Sequence, residues 1–174
     1  MTLHPILLAV GILAQPAQPG VSGPEVVHVS NTFRFEVAAA VNRVAPLFGP
    51  EGERSWAGKD WNPEFLYPQP AKDVQGAVFQ VRHGERMMVW VNTVFDLPNG
   101  RMQYVAFIDN VAVTTVDVRL TSEDAAHTAV DVTYTRTALQ PAANDEVRAL
   151  GESDRRKGPE WQKGVEAGLG LERR

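Results

Sequence analysis

The sequence predicts one α+β domain in which a curved antiparallel sheet of six to seven strands wraps a long C-terminal helix. Five segments between residues 77 and 138 alternate apolar with polar residues, the pattern of half-buried strands. The connections between them are too short for parallel crossovers, which favours an antiparallel meander. Beyond residue 144 the apolar residues recur at helical spacing. Together these patterns predict strands first and a closing helix last.

Composition indicates an ordinary folded domain, expected over residues 26–170 of the 174. The chain is 44% hydrophobic and 22% charged, unlike a disordered protein. A formal net charge of -4 provides no basic surface to neutralise phosphates, so nucleic-acid binding is not expected. The chain has no cysteine, which excludes disulfides, thiol nucleophiles and thiolate metal sites.

Residues 1–23 are typical of an export signal followed by a Pro/Gly-rich linker. Residues 6–14 are an unbroken apolar run, and Ala14 and Ala17 suit a processing site. As a helix the run spans only about 14 Å, so no stable transmembrane anchor is expected. No Lys or Arg precedes it, which leaves an upstream extension without function as the alternative. We expect a periplasmic or secreted protein, with a cytoplasmic one as the alternative.

The first elements are a strand and a short helix. From residue 26 the alternation places Val27, Val29, Phe33 and Phe35 on one side of a strand. Residues 36–47 show helical spacing up to Pro46.

A Gly/Pro-rich connection follows, with room for one helical turn at residues 52–57. Glu51, Glu53 and Arg54 are expected to cap and flank this turn. So long an insertion is a candidate functional rim.

Five further strands are predicted at residues 77–83, 87–96, 101–108, 111–121 and 127–138, with Asn99-Gly100 as the strongest hairpin signal. The closing helix is predicted to begin at Asn144, whose side chain suits a cap. The predicted buried stripe of this helix is Val147, Leu150, Trp161, Val165 and Leu169. Gly158-Pro159 is expected to bend or interrupt it.

Four stretches of the chain resemble a known superfamily. They are LFGPEGERSWA (47–57), DWNPEFLYP (60–68), GAVFQVRH (76–83) and VDVTYTRTAL (130–139). With the order of elements, they are similar to a bacterial branch of the START and Bet v 1 superfamily (SRPBCC, polyketide cyclase-like), over about residues 30–169. The resemblance implies a helix-grip fold. It also implies an apolar cavity between sheet and last helix that holds lipids, polyketides or other hydrophobic small molecules.

Candidate ligand-binding residues are large rings in the insertion and polar or aromatic residues among apolar ones on the strands and the last helix. They are Trp56, Trp61, Phe65, Tyr67, Phe79, His83, Trp90, Asn92, Tyr104, Tyr134 and Trp161. The insertion rings are equally consistent with a satellite core beneath the loop.

No convincing catalytic constellation is present. His83, with Arg82 and Glu85, is the one cluster near a plausible mouth, and a surface ion pair explains it as well. The four histidines lack metal-ligand spacing, and no phosphate-binding or dinucleotide fingerprint occurs, so neither metal nor cofactor is expected.

The leading hypothesis is a non-catalytic domain that binds a hydrophobic small molecule. One alternative is a cyclase or aromatase in which His83 or Tyr134 acts as acid or base on a polyketide-like substrate. A second is an envelope interaction protein whose cavity is vestigial. The sequence carries no signal for the oligomeric state.

Overall fold

The computed structural model describes residues 25–171, so the predicted export segment at residues 1–23 lies outside it. Within that range seven strands form one antiparallel sheet in the order β1-β7-β6-β5-β4-β3-β2. The strands are β1 (His28–Val37), β2 (Glu64–Tyr67), β3 (Val78–His83), β4 (Arg86–Asp96), β5 (Arg101–Ile108), β6 (Ala112–Ser122) and β7 (Thr128–Ala138). The helices are α1 (Val41–Val44), α2 (Asn144–Asp154) and α3 (Gly158–Gly168). The predicted helix-grip architecture, a curved sheet closed by C-terminal helices, is confirmed.

The inward face of the sheet follows the predicted alternation. On β1, the even-numbered residues from His28 to Glu36 are exposed and Phe33 and Phe35 are buried. On β4, the register shifts between Asn92 and Val94, an irregularity of the kind that bends a strand. The concave face therefore gathers the apolar side chains that surround the interior.

The C-terminal helix is interrupted where Gly158-Pro159 predicts. α2 ends at Asp154, and α3 restarts at Gly158 with the proline in its first turn, which tolerates a residue without an N–H. Both helices pack on β1. Among residues 25–171, no helix has the length and apolar character needed to cross a membrane.

The helix begins at Asn144 as predicted, but the capping role was wrong. Its side chain accepts a hydrogen bond from the backbone N–H of Val27 at 2.8 Å and donates to the carbonyl of Glu25 at 3.2 Å. Asn144 therefore fixes the start of α2 to the residues before β1.

Two predictions in the first half were also wrong. The helix expected at residues 36–47 is reduced to α1, because β1 extends to Val37, and a 3-10 turn, Ala45–Phe48, takes up Pro46. The connection expected to be irregular contains the edge strand β2, which pairs with β3. The 3-10 turn Gly52–Ser55 lies within the predicted helical turn.

Candidate functional site

A cavity of about 550 Å³ lies between the concave face of the sheet, the turn Gly52–Ser55 and the helices α2 and α3. Its walls include six large rings: Trp56, Trp61, Trp90, Tyr104, Tyr134 and Trp161. This volume is in the range of small-molecule sites. Seven of the residues that the sequence proposed for ligand contact border it, since His83 joins these six.

The rings of the cavity wall form two groups. Trp56 packs edge-on against Trp161 at a centroid distance of 5.1 Å, and Tyr134 lies 6.1 Å from Trp161. In the second group, Trp61 meets Trp90 edge-on at 5.6 Å, and Trp90 meets Tyr104 at 6.4 Å. Edge-to-face contacts of this kind are favourable beyond the area they bury.

The two insertion tryptophans are held in place by their indole N–H groups. Trp56 donates to the carbonyl of Leu47 at 2.8 Å, and Trp61 donates to the carbonyl of Pro50 at 3.0 Å. Gly164 of α3 lets the loop approach, because a Cβ there would lie 2.9 Å from the Trp56 carbonyl oxygen. Both rings also pack against the main core, so the ligand-binding and satellite-core interpretations describe the same side chains.

A buried acid opens onto this aromatic wall. The Glu53 side chain borders the cavity, the residue is 6% exposed, and its carboxyl lies beside the hydroxyl of Tyr104. Burial raises the pKa of Glu53 from 4.5 to about 8; the hydroxyl of Tyr104 opposes this rise, and the negative charge of Asp73 adds to it. The same hydroxyl donates to the carbonyl of Phe48.

The other end of the cavity carries two cations that share one buried carboxylate. Arg136 borders the cavity and binds the buried carboxylate of Asp154 through two nitrogens, at 2.6 and 2.9 Å. Lys157 lies 3.5 Å from the same carboxylate. Both cations lie over the ring of Tyr134, at 5.0 and 4.8 Å from its centroid. Burial raises the pKa of Tyr134, so its hydroxyl stays protonated.

His83 borders the cavity and is exposed to solvent. It forms no ion pair with Glu85 within the described chain. The surface pair at this turn is instead between Arg86 and Glu146 of α2. The exposure of His83 to solvent removes the best candidate for the acid or base of the cyclase alternative.

Four candidate residues lie outside the cavity wall. Phe65 and Phe79 stack on each other at 5.7 Å within the core. Tyr67 is exposed on the edge strand β2. Asn92 is fully buried and donates to the carbonyl of Val74 at 3.3 Å. The structure places these four as core or surface residues.

Sequence reasoning missed the charged residues of the wall, which are Glu53, Arg86, Arg136, Glu146, Lys157 and Glu160. Arg136 lies on the same inward face of β7 as Tyr134, a visible signal. Lys157, in the break between α2 and α3, has no sequence signal. Glu53 was expected to flank a helical turn; it lies within the turn Gly52–Ser55, and nothing in the sequence indicates that its side chain is buried. Over residues 25–171, no three His, Asp or Glu side chains are grouped to hold a metal ion.

Comparisons with known proteins agree on the fold. No protein-family model matches the chain, and no curated protein matches it. Norcoclaurine synthase from Thalictrum flavum, solved with dopamine and hydroxybenzaldehyde, superposes with a TM-score of 0.62 at 12% identity, covering 93% of this chain and 96% of that chain. A putative uncharacterized protein from Rhizobium leguminosarum gives a TM-score of 0.60 at 15% identity, covering 85% and 98%. The Mll3558 protein from Rhizobium loti gives 0.56 at 17%, covering 84% and 98%.

These likenesses, with the seven-stranded sheet and the closing helices, define the chain as a protein of Bet v 1-like, helix-grip fold. At such identities the likeness extends to the fold alone.

Proposed function

We propose that this chain binds a hydrophobic small molecule in the cavity between its sheet and its C-terminal helices, as a member of the START and Bet v 1-like (SRPBCC) superfamily. The observation that carries the proposal is the cavity of about 550 Å³ walled by six large aromatic rings. Space of this size beside apolar rings favours a guest, because an unfilled interior forfeits dispersion contacts. The norcoclaurine synthase of the same fold holds two small aromatic molecules, which supports such a role.

The interaction-protein alternative has less support. A vestigial cavity would be filled by side chains. The large exposed hydrophobic residues of the described chain lie at three separate places: Leu66 and Tyr67 on β2, Phe107 on β5 and Leu139 after β7. Scattered apolar residues are normal on a surface and do not define a docking patch.

Native mass spectrometry of the gently purified protein tests the proposal. We expect a mass above that of the polypeptide, with the excess released into organic solvent as an apolar molecule. Leu150 lines the cavity from α2, so Leu150→Trp should reduce the bound fraction. A wild-type mass equal to the bare polypeptide, with no apolar molecule bound from an offered lipid extract, would contradict it.

A further inference from the structure

The buried carboxyl of Glu53 has no cationic partner in the cavity. Each of three cations of the wall already lies beside another acid: Arg86 pairs with Glu146, and Arg136 and Lys157 share Asp154. Glu53 is in no ion pair among the described residues, although it is only 6% exposed. A buried acid without a counter-charge is costly in its ionised form.

Aromatic residues of the cavity wall neighbour this acid. Glu53 and Trp56 belong to one turn, since the N–H of Trp56 donates to the carbonyl of Glu53 at 3.0 Å. The hydroxyl of Tyr104 lies beside the carboxyl, and the ring of Tyr104 packs against Trp90. Faces of Trp and Tyr attract cations, and desolvation strengthens the attraction.

We propose that the ligand carries a protonated amine, which forms an ion pair with Glu53 inside the aromatic wall while its apolar body fills the rest of the cavity. This inference rests on the proposed function and names the chemical class of the ligand. The amine supplies the missing counter-charge. Its hydrogen atoms form charge-assisted hydrogen bonds with the carboxylate, and its remaining surface contacts ring faces.

Binding should be linked to the proton on Glu53. In the empty cavity the raised pKa, about 8, keeps the carboxyl protonated at neutral pH, and an arriving cation displaces that proton. The affinity for an amine should therefore rise with pH until the carboxyl is ionised without ligand. The titratable and charged groups of the cavity wall and beside Glu53 are Asp73, His83, Arg86, Tyr104, Tyr134, Arg136, Glu146, Lys157 and Glu160.

Those neighbours do not remove the preference for a cation. Asp73 is a second acid near Glu53, and its carboxylate accepts the backbone N–H groups of Glu51 and Gly52 at 2.9 and 3.2 Å. Burial raises the pKa of Tyr104, so this hydroxyl stays neutral. Arg136 and Lys157 remain with Asp154 at the other end of the cavity.

Isothermal titration calorimetry with octylamine, octanol and octanoate tests the inference, because the three probes share one apolar body. We expect octylamine to bind roughly tenfold to a hundredfold more tightly than octanol, the range of a charge-assisted hydrogen bond. Its affinity should rise from about pH 6 to about pH 8, with proton release visible as a dependence on the ionisation enthalpy of the buffer.

Glu53→Gln replaces the acid with a neutral side chain of the same shape. We expect it to bind octanol normally and to lose both the preference for octylamine and the pH dependence. Glu64→Gln, which neutralises an exposed carboxyl on β2 outside the cavity wall, is the matched control and should retain both.

Equal binding of octylamine and octanol, a preference for octanoate, or unchanged amine affinity in Glu53→Gln would overturn the amine inference and leave the hydrophobic-ligand function standing. Failure of all three probes to bind the wild-type protein would count against both.

Discussion

The guanidinium of Arg136 on β7 holds both carboxylate oxygens of Asp154, the last residue of α2, at 2.6 and 2.9 Å. The remaining terminal nitrogen donates to the hydroxyl of Thr114 on β6 at 3.0 Å. Asp154 is followed directly by the break between the C-terminal helices, and Lys157 in that break lies 3.5 Å from it. This buried pair therefore fixes the position at which the helix pair turns over the cavity.

Asp154→Asn should destabilise the fold strongly, because it leaves the Arg136 guanidinium buried without a counter-charge. We expect the free energy of unfolding to fall by about 3–5 kcal/mol, the usual cost of removing one partner of a buried ion pair. Urea denaturation followed by circular dichroism measures it. Arg148→Ala breaks the exposed pair with Asp145 and should change stability by less than about 1 kcal/mol. Equal effects from the two substitutions would contradict this role.

Stability should depend on pH through Glu53. Its pKa is 4.5 when unfolded and about 8 when folded, so the folded chain keeps a proton that the unfolded chain releases between these values. Raising the pH through this window therefore lowers the free energy of unfolding, by up to about 1.4 kcal/mol per pH unit for one proton.

Glu53→Gln removes the carboxyl that causes this pH dependence. The stability of the variant relative to wild type should therefore improve as pH rises from about 5 to about 8. The Asp73 pKa is also raised, mainly by burial, and contributes in the same direction in both proteins. Urea titrations at several pH values measure the difference. A constant difference across the window would show that Glu53 is ionised in the folded protein.

Gly164→Ala should displace the tryptophan loop. The added Cβ would lie 2.9 Å from the carbonyl oxygen of Trp56 and 3.1 Å from its ring atom Cε3. Overpacking of this kind costs about 1–3 kcal/mol, partly offset by the better helix propensity of alanine. Thermal unfolding measures the loss of stability, and the tryptophan emission maximum reports the displacement of the loop. Lys163→Ala, at the exposed neighbouring position of α3, should leave the emission unchanged, and the same emission in both variants would argue against close loop packing.

Export remains a prediction for residues 1–23. Cleavage of the signal should give a mature protein that begins between about Ala17 and Gly23. N-terminal sequencing of the protein from its native host measures this. An intact Met1 would contradict export by cleavage.

The fold was predictable because its strands are half-buried, so apolar and polar residues alternate along them in the sequence. The edge strand β2 was missed, since four residues between Pro63 and Pro68 resemble a loop. The break before Pro159 was predictable from the missing N–H of proline. Sequence patterns thus predicted the long strands and the helix break, and they missed the four-residue strand β2.

The aromatic residues of the cavity wall were easier to predict from the sequence than its charged residues. Large aromatic residues bury wherever a core accepts them, so Trp56, Trp90 and Trp161 stood out. Glu53 did not, because the sequence around it is that of an exposed turn and its burial comes from a strand far along the chain. The pairing of Arg136 with Asp154 likewise joins two elements whose packing no local pattern records.

Titration with N-phenyl-naphthylamine, a neutral apolar fluorophore, tests the central claim that the cavity takes a hydrophobic guest. We predict saturable binding at one site, weakened at least about tenfold by Leu150→Trp, which fills the cavity from α2. Leu139→Trp adds the same ring at an exposed position, 41% accessible and away from the cavity, and should bind like wild type. Equal weakening in both variants, or binding that Leu150→Trp leaves unchanged, would contradict the account.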